Sequence, residues 1–399
     1  MRVLAASSAQ ATPADAIVEI GTRLRAQGFR PGAQAFSLRT EPTGGPASHA
    51  AAEGAALVFA TLEMARDPEA LSAACSDLLG DMPFIGFVGL SVFHDTRLKE
   101  RAEGLAVMIL QGVTARARSE RLDRDAAEVA AGLQADGGAG RARFVAVAAD
   151  ATTPGQTVEV LHALDDHGAP IAGALCLPPS GQRASVLARN TALGPRVALL
   201  DVDGLRLVPG VAQAARALGP VRCVTAANAN LVQELDGRPA VEALLSDLPP
   251  KLRSRLPQLA GALCAGFGVE DGDAFLMRNV VGLDPQTGAV AVAGMPRVGA
   301  EVVFSLRDQR AARTDLDDML SSLQQGLGGR KPAAFVMFNC LARDREMFGA
   351  PNHDVRRVLE TFGVDVPVVG VAGGGEICTY GTRTHIFGSS CVVAAILAD

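Results

Sequence analysis

An α/β fold with mixed β-sheets flanked by helices, built around βαβ units in two pseudo-repeated lobes, is what this sequence predicts. Three observations carry it. Apolar runs of strand length alternate with stretches of helical spacing. One pattern, Pro, two apolar residues, Gly and two more apolar residues, occurs as PFIGFVG (Pro83–Gly89), PIAGALC (Pro170–Cys176) and PVVGVAG (Pro367–Gly373). Each copy follows a second apolar run, with a helical stretch between the two.

In chain order, the first unit runs from ALVFATLEM (from Ala56) through PEALSAACSDLLG to PFIGFVG. The second runs from FVAVAAD (from Phe144) through PGQTVEVLHALDDHG to PIAGALC, and the third from FVMFNCLAR (from Phe335) through HDVRRVLETFG to PVVGVAG. Each helical stretch opens near Pro or Asp and closes at Gly, the expected start and stop signals. Strand, helix, strand at this spacing predicts a crossover with its two strands parallel. GLAVMIL (Gly104–Leu110), RVALLDVDG, AFLMRNVVGLD, AVAVAG, EVVFSLRD and SSCVVAAIL (Ser389–Leu397) add strand candidates. A chain of 399 residues exceeds one typical domain. The join falls near QELDGRPAVEALLSDLPPKLRSRLPQ, where Asp236–Gly237 gives a turn and Pro249–Pro250 breaks a short helix.

Composition narrows the function classes. Apolar residues make up 48% and charged residues 20%, which suits a globular protein with ample core. The net charge of −6 and the lack of a basic run argue against nucleic acid as a partner. Aromatic residues are 4% of the chain, with no Trp, so a stacking platform for bases is poorly supplied. Seven cysteines at wide spacing, with no C-x-x-C pair, fit neither a disulfide framework nor a zinc knuckle. No signal peptide and no stretch of transmembrane length is read, so the expectation is a cytoplasmic protein without a membrane partner.

Parallel strands end on one edge of their sheet, and ligand sites in α/β sheets favour such carboxyl edges. Asn339–Cys340 and Gly373–Glu376 are therefore expected side by side. Arg343 can pair an anionic group bidentately, or form a salt bridge to Asp344, Asp354 or Asp308. Glu376 follows Gly373, Gly374 and Gly375, where the backbone can approach closely. It would hold an ammonium opposite Arg343, or hydrogen-bond a loop. The glycine run has no following Lys-Ser/Thr and no G-x-G-x-x-G spacing, which argues against a phosphate loop. Gly89 and Ser91 form the matching edge of the first lobe, or a plain turn.

Cys340 has two readings. Beside Arg343, with His385 or His353 as base, it is a candidate nucleophile; otherwise it is a small apolar group at a pocket wall. His94 can touch a loop of the first lobe, while His162 and His167 flank a helix end, where a cation suits the dipole. No histidine spacing suggests a metal, no G-x-S-x-G occurs, and no cofactor is implied.

Several segments together resemble one family. RVGAEVVFSLRDQRAARTDLDDML, FNCLARDREMFG and VPVVGVAGGGEI resemble the C-terminal half of FIST domains. VTAANANLVQELDGRPAVEAL resembles the join of the family's two halves, and FIGFVGLSVF is similar to the N-terminal half's Gly-rich strand end. The chain departs from the family pattern at Ala342, where Gly is usual, and in GVAGGG. The resemblance implies a FIST N-terminal domain over 30–237 and a FIST C-terminal domain over 239–385, with a terminal strand to 397. It also implies a bacterial stand-alone sensory module in signal transduction, binding a small ligand such as an amino acid or small carboxylate and read by a signalling partner protein in trans. A thiol-dependent enzyme using Cys340 is the alternative, and an interaction scaffold, by analogy with F-box relatives, is a further one.

Overall fold

The structure is a computed structural model. It describes residues 1–30, 52–94, 104–134, 142–149, 154–165, 168–178, 183–189, 194–259, 261–269 and 275–399. His167 lies outside the described residues. The chain forms two compact units. One comprises Met1–Val211, Leu320–Ile386 and Cys391–Asp399, the other Ala212–Met319 and Phe387–Ser390.

All three expected crossovers occur in the first unit, each with parallel strands. Ala52–Thr61 pairs with Phe84–Gly89, Ala142–Ala148 with Ile171–Leu175, and Ala334–Cys340 with Val368–Gly373. The intervening helices are Pro68–Leu79, Pro154–Asp165 and His353–Phe362. The recurring Pro and Gly have the same task in each copy. A proline has no N–H to give to the ladder, but its carbonyl accepts the first inter-strand bond: Ala56 N–H to Pro83, Arg143 N–H to Pro170 and Phe335 N–H to Pro367. The glycine stands opposite Val58, Val145 or Met337. A Cβ on Gly173 or Gly370 would come within 1.9 Å of the partner strand's carbonyl oxygen, and one on Gly86 within 2.7 Å of Leu187.

The first two crossovers belong to a ten-stranded mixed sheet and the third to a five-stranded one. The five-stranded sheet runs Leu205–Ala212, Cys391–Ala398, Ala334–Cys340, Val368–Gly373, Ser91–His94. Phe338 packs its ring on Phe59 and Phe87 of the larger sheet, with centroids 6.3 and 4.8 Å away. That face of the smaller sheet is therefore core. The other face receives the helix His353–Phe362, where Phe335 meets Phe362 at 4.8 Å.

The second unit adds a barrel that the sequence reading did not name. Its strands Arg222–Asn228, Leu231–Leu235, Ala289–Val292, Phe275–Asp284, Leu263–Gly268 and Glu301–Arg307 pair in that order, and the last returns to the first, closing an antiparallel barrel. Val224, Val290, Leu263 and Phe304 form its core with Ala243 and Leu244 of the helix Ala240–Asp247. The stretch expected as the join lies inside this barrel unit.

Candidate functional site

The strand Ala334–Cys340 is buried along its length, with Cys340 partly exposed at its end. The chain then turns: Arg343 N–H bonds the Cys340 carbonyl, and Asp344 caps the short helix Arg345–Phe348 through the Glu346 and Met347 N–H groups. Gly349, at φ 74°, ends that helix in the left-handed region. The chain re-enters a helix at His353 and presents Asp354 to the segment it has just left.

Asp354 is the hub of this connection. Its carboxylate accepts Arg343 Nε at 2.7 Å and Nη2 at 3.1 Å, Asn339 Nδ2 at 3.1 Å and His353 Nδ1 at 3.0 Å. The Arg343 and Asp354 side chains are 0% and 1% exposed. Burial alone would raise the Asp354 carboxyl, but the Arg343 guanidinium and the bonds from His353 and Arg343 outweigh it and hold it below its ordinary value. An ionised Asp354 places the His353 proton on Nδ1. The His353 ring stacks on Phe348 at 4.0 Å, and the Arg343 guanidinium lies 5.4 Å from the same ring. The Arg343 charge after the strand is thus neutralised within the connection itself.

A cavity of about 220 Å³ opens beside it, lined by Asn339, Cys340, Arg343 and Asp344 on one side. The helix turn Asn352–Val355 lines another side, and Ala372 with Leu90, Ser91 and Phe93 completes the wall. The register explains the grouping. Asn339 stands opposite Ala372, and Ala372 opposite Ser91, so these three share one face of the sheet at one level.

Of the residues expected from sequence, Asn339, Cys340, Arg343 and Ser91 line this cavity. Gly373 lies beside Cys340 in register, as the parallel pairing requires. Gly374 and Gly375 pack against Leu175–Leu177, where added Cβ atoms would come within 2.8 Å of Leu177 and 2.9 Å of Leu175. Glu376 is not brought to the cavity. It begins a strand of the ten-stranded sheet, opposite Ala174, and is 0% exposed. Gly89 sits where a Cβ would come within 2.2 Å of the Ala372 carbonyl oxygen, so it serves the close approach of two strands.

Of the two candidate bases, His353 lines the cavity, whereas His385 lies on an edge strand of the other sheet with its ring 6.2 Å from His162. His94 bonds Ser7 at 3.0 Å. Burial pushes the Cys75, Cys176 and Cys378 thiols up to about 12. Among the described residues, no group of three His, Cys, Asp or Glu could hold a metal ion, and no helix is long and apolar enough to cross a membrane. Sequence reasoning named His353 and Asp354 but missed Asn352 and Val355, which complete the helix-turn wall of the cavity; Pro351-Asn352 before an amphipathic helix was the available signal.

The family resemblance is borne out. The FIST N domain model matches residues 54–238 and the FIST C domain model residues 240–379. The uncharacterized protein Mb0898c of Mycobacterium bovis is 32% identical over 208 residues, 50% of this chain and 52% of that protein. The uncharacterized protein MT0656 of Mycobacterium tuberculosis is 33% identical over 182 residues, 44% of this chain and 47% of that protein. The chain spans about half the length of the curated relatives it matches. The cavity draws Ser91 and Phe93 from the first matched segment and Asn339, Arg343 and Asp354 from the second.

Proposed function

Because this chain belongs to the FIST family, whose domains are small-ligand sensory domains, we propose that it senses a small polar molecule bound in the cavity beside Asn339. The carrying observation is that the cavity is walled by polar groups already held in place. Asn339, Arg343 and His353 are all fixed by one buried carboxylate, the preorganisation a recognition site needs. A cavity of about 220 Å³ suits a small molecule such as an amino acid or similar small carboxylate. Arg343 and Asp354 neutralise one another, which favours a zwitterion or a weakly charged ligand over a polyanion.

Binding shifts the population of conformations, and a signalling partner in the cytoplasm reads the shift. The wide spacing of the seven cysteines, with no C-x-x-C pair, supports a reducing compartment.

The pleat weighs against thiol catalysis. Cys340 lines the cavity from the strand's end but alternates with Asn339 along the strand, and His385 stands on another sheet.

Thermal-shift screening of a broad panel of small polar compounds on wild type and Ser91→Phe, which fills the cavity, tests the proposal. A ligand at a hundred times its Kd stabilises wild type by about 2.7 kcal/mol and leaves Ser91→Phe unmoved. A panel in which no compound stabilises wild type, or one in which both proteins respond alike, sinks it.

A further inference from the structure

His353 is the histidine of the cavity wall, and histidine is the side chain that ordinarily changes charge between pH 5 and 8. Its ring is held on two sides. Nδ1 lies 3.0 Å from Oδ1 of the buried Asp354, and the ring stacks on Phe348 with centroids 4.0 Å apart and planes 8° from parallel. With Nδ1–H committed to an ionised Asp354, an added proton goes to Nε2, which turns from acceptor to donor. A neutral ring and an imidazolium can both donate to that carboxylate and both keep the stack. Protonation therefore changes the charge of the wall without asking the ring to move.

Charged and titratable groups surround the ring from several elements. Cys340, Arg343 and Asp344 line the same cavity from the strand end and the turn, and Asp354 from the helix. Arg345 and Glu346 stand on the short helix that carries Phe348, Arg356 and Arg357 on the ring's own helix, and His94 on the strand Ser91–His94. On the cavity wall itself, one guanidinium stands against two carboxylates, those of Asp344 and Asp354. A neutral His353 leaves that wall with one net negative charge, and a protonated His353 leaves it neutral.

We propose that His353 is a charge switch for this cavity: its protonation cancels the net negative charge of the wall, so anionic ligands bind more tightly as pH falls and cationic ligands less tightly. As a regulation of sensing this rests on the function proposed above, but the switch itself can be read without a ligand.

Cys340, partly exposed at the same wall, is the reporter. The full chain is alkylated with iodoacetate, an anion, or with iodoacetamide, its neutral counterpart, between pH 8 and pH 5.5, and each cysteine is followed by mass spectrometry. Both reagents attack the same thiolate, so its population cancels in the ratio of their rates. The ratio at Cys340 is expected to rise about two- to fivefold towards pH 5.5, the effect of one charge at short range in a partly hydrated site. It stays flat at the exposed Cys223, and flat at Cys340 in His353→Gln, which can still donate to Asp354. If His353→Gln fails to fold, His353→Phe, which can keep the stack on Phe348, takes its place. If Cys340 reacts with neither reagent, Ser91→Cys, on another wall of the cavity, carries the readout. A ratio that is flat in wild type, or that rises equally at Cys223, overturns the switch, and so does a rise that survives without His353. A rise beside a silent compound panel keeps the switch and sinks sensing. A flat ratio beside a compound that stabilises wild type but not Ser91→Phe does the reverse.

Discussion

At the scale of single residues, Asp354 decides whether the site exists. Four donors converge on its carboxylate, from Arg343, Asn339 and His353. Asp354→Asn leaves the Arg343 charge buried without its counter-ion, and urea denaturation at neutral pH is expected to show a loss of about 3–5 kcal/mol. The folded carboxyl lies below its ordinary value, so its contribution is fully present above the unfolded value near ~3.9 and is lost as pH falls through the lower folded value. The gap between wild type and Asp354→Asn therefore narrows in acid. A gap of equal size at pH 7 and pH 2 would show that the carboxylate's charge is not what stabilises the site. A salt bridge of Arg343 to Asp354 was one of three that the sequence offered, beside Asp344 and Asp308. The convergence of Asn339 and His353 on the same carboxylate could not be read there, because it depends on where a connecting segment folds back.

Among elements, the βαβ units were the legible part. Pro-x-x-Gly carries a backbone instruction: a carbonyl that opens the ladder without an N–H, then a residue without a side chain where the neighbouring strand comes close. Gly370→Ala drives a Cβ to 1.9 Å from Met337 O and 2.4 Å from the Phe93 ring. Its expected cost in urea denaturation is about 1–3 kcal/mol or more. Gly326→Ala, in a helix with its nearest neighbour at 3.9 Å, is the control and should be neutral or stabilising. Equal effects at the two positions would remove the close-approach explanation. The barrel was not legible as a barrel, because alternation of apolar residues marks a strand but says nothing about which distant strand closes the ring. Glu376 was misplaced for a related reason. Parallel pairing fixes Gly373 beside Cys340, but three residues further on the chain has joined another sheet.

For the whole molecule, the terminal strand Cys391–Ala398 lies between Leu205–Ala212 and Ala334–Cys340, a central place in the five-stranded sheet. It also lies beyond the stretch matched by the FIST C domain model, which ends at 379. A chain ending at Ser390 is expected to lose the cooperative unfolding transition of the first unit, seen by circular dichroism on heating. A truncated protein that keeps that transition would show the strand to be dispensable.

The same sheet is bounded on its other side by Ser91–His94, the strand that runs antiparallel to Val368–Gly373. Deprived of that short segment, Val368–Gly373 would bare a row of backbone donors and acceptors to any passing chain. Joining the two matched segments in one polypeptide therefore does more than complete the cavity wall: it covers that edge, and a C-terminal segment expressed alone would have to borrow such a cover from elsewhere.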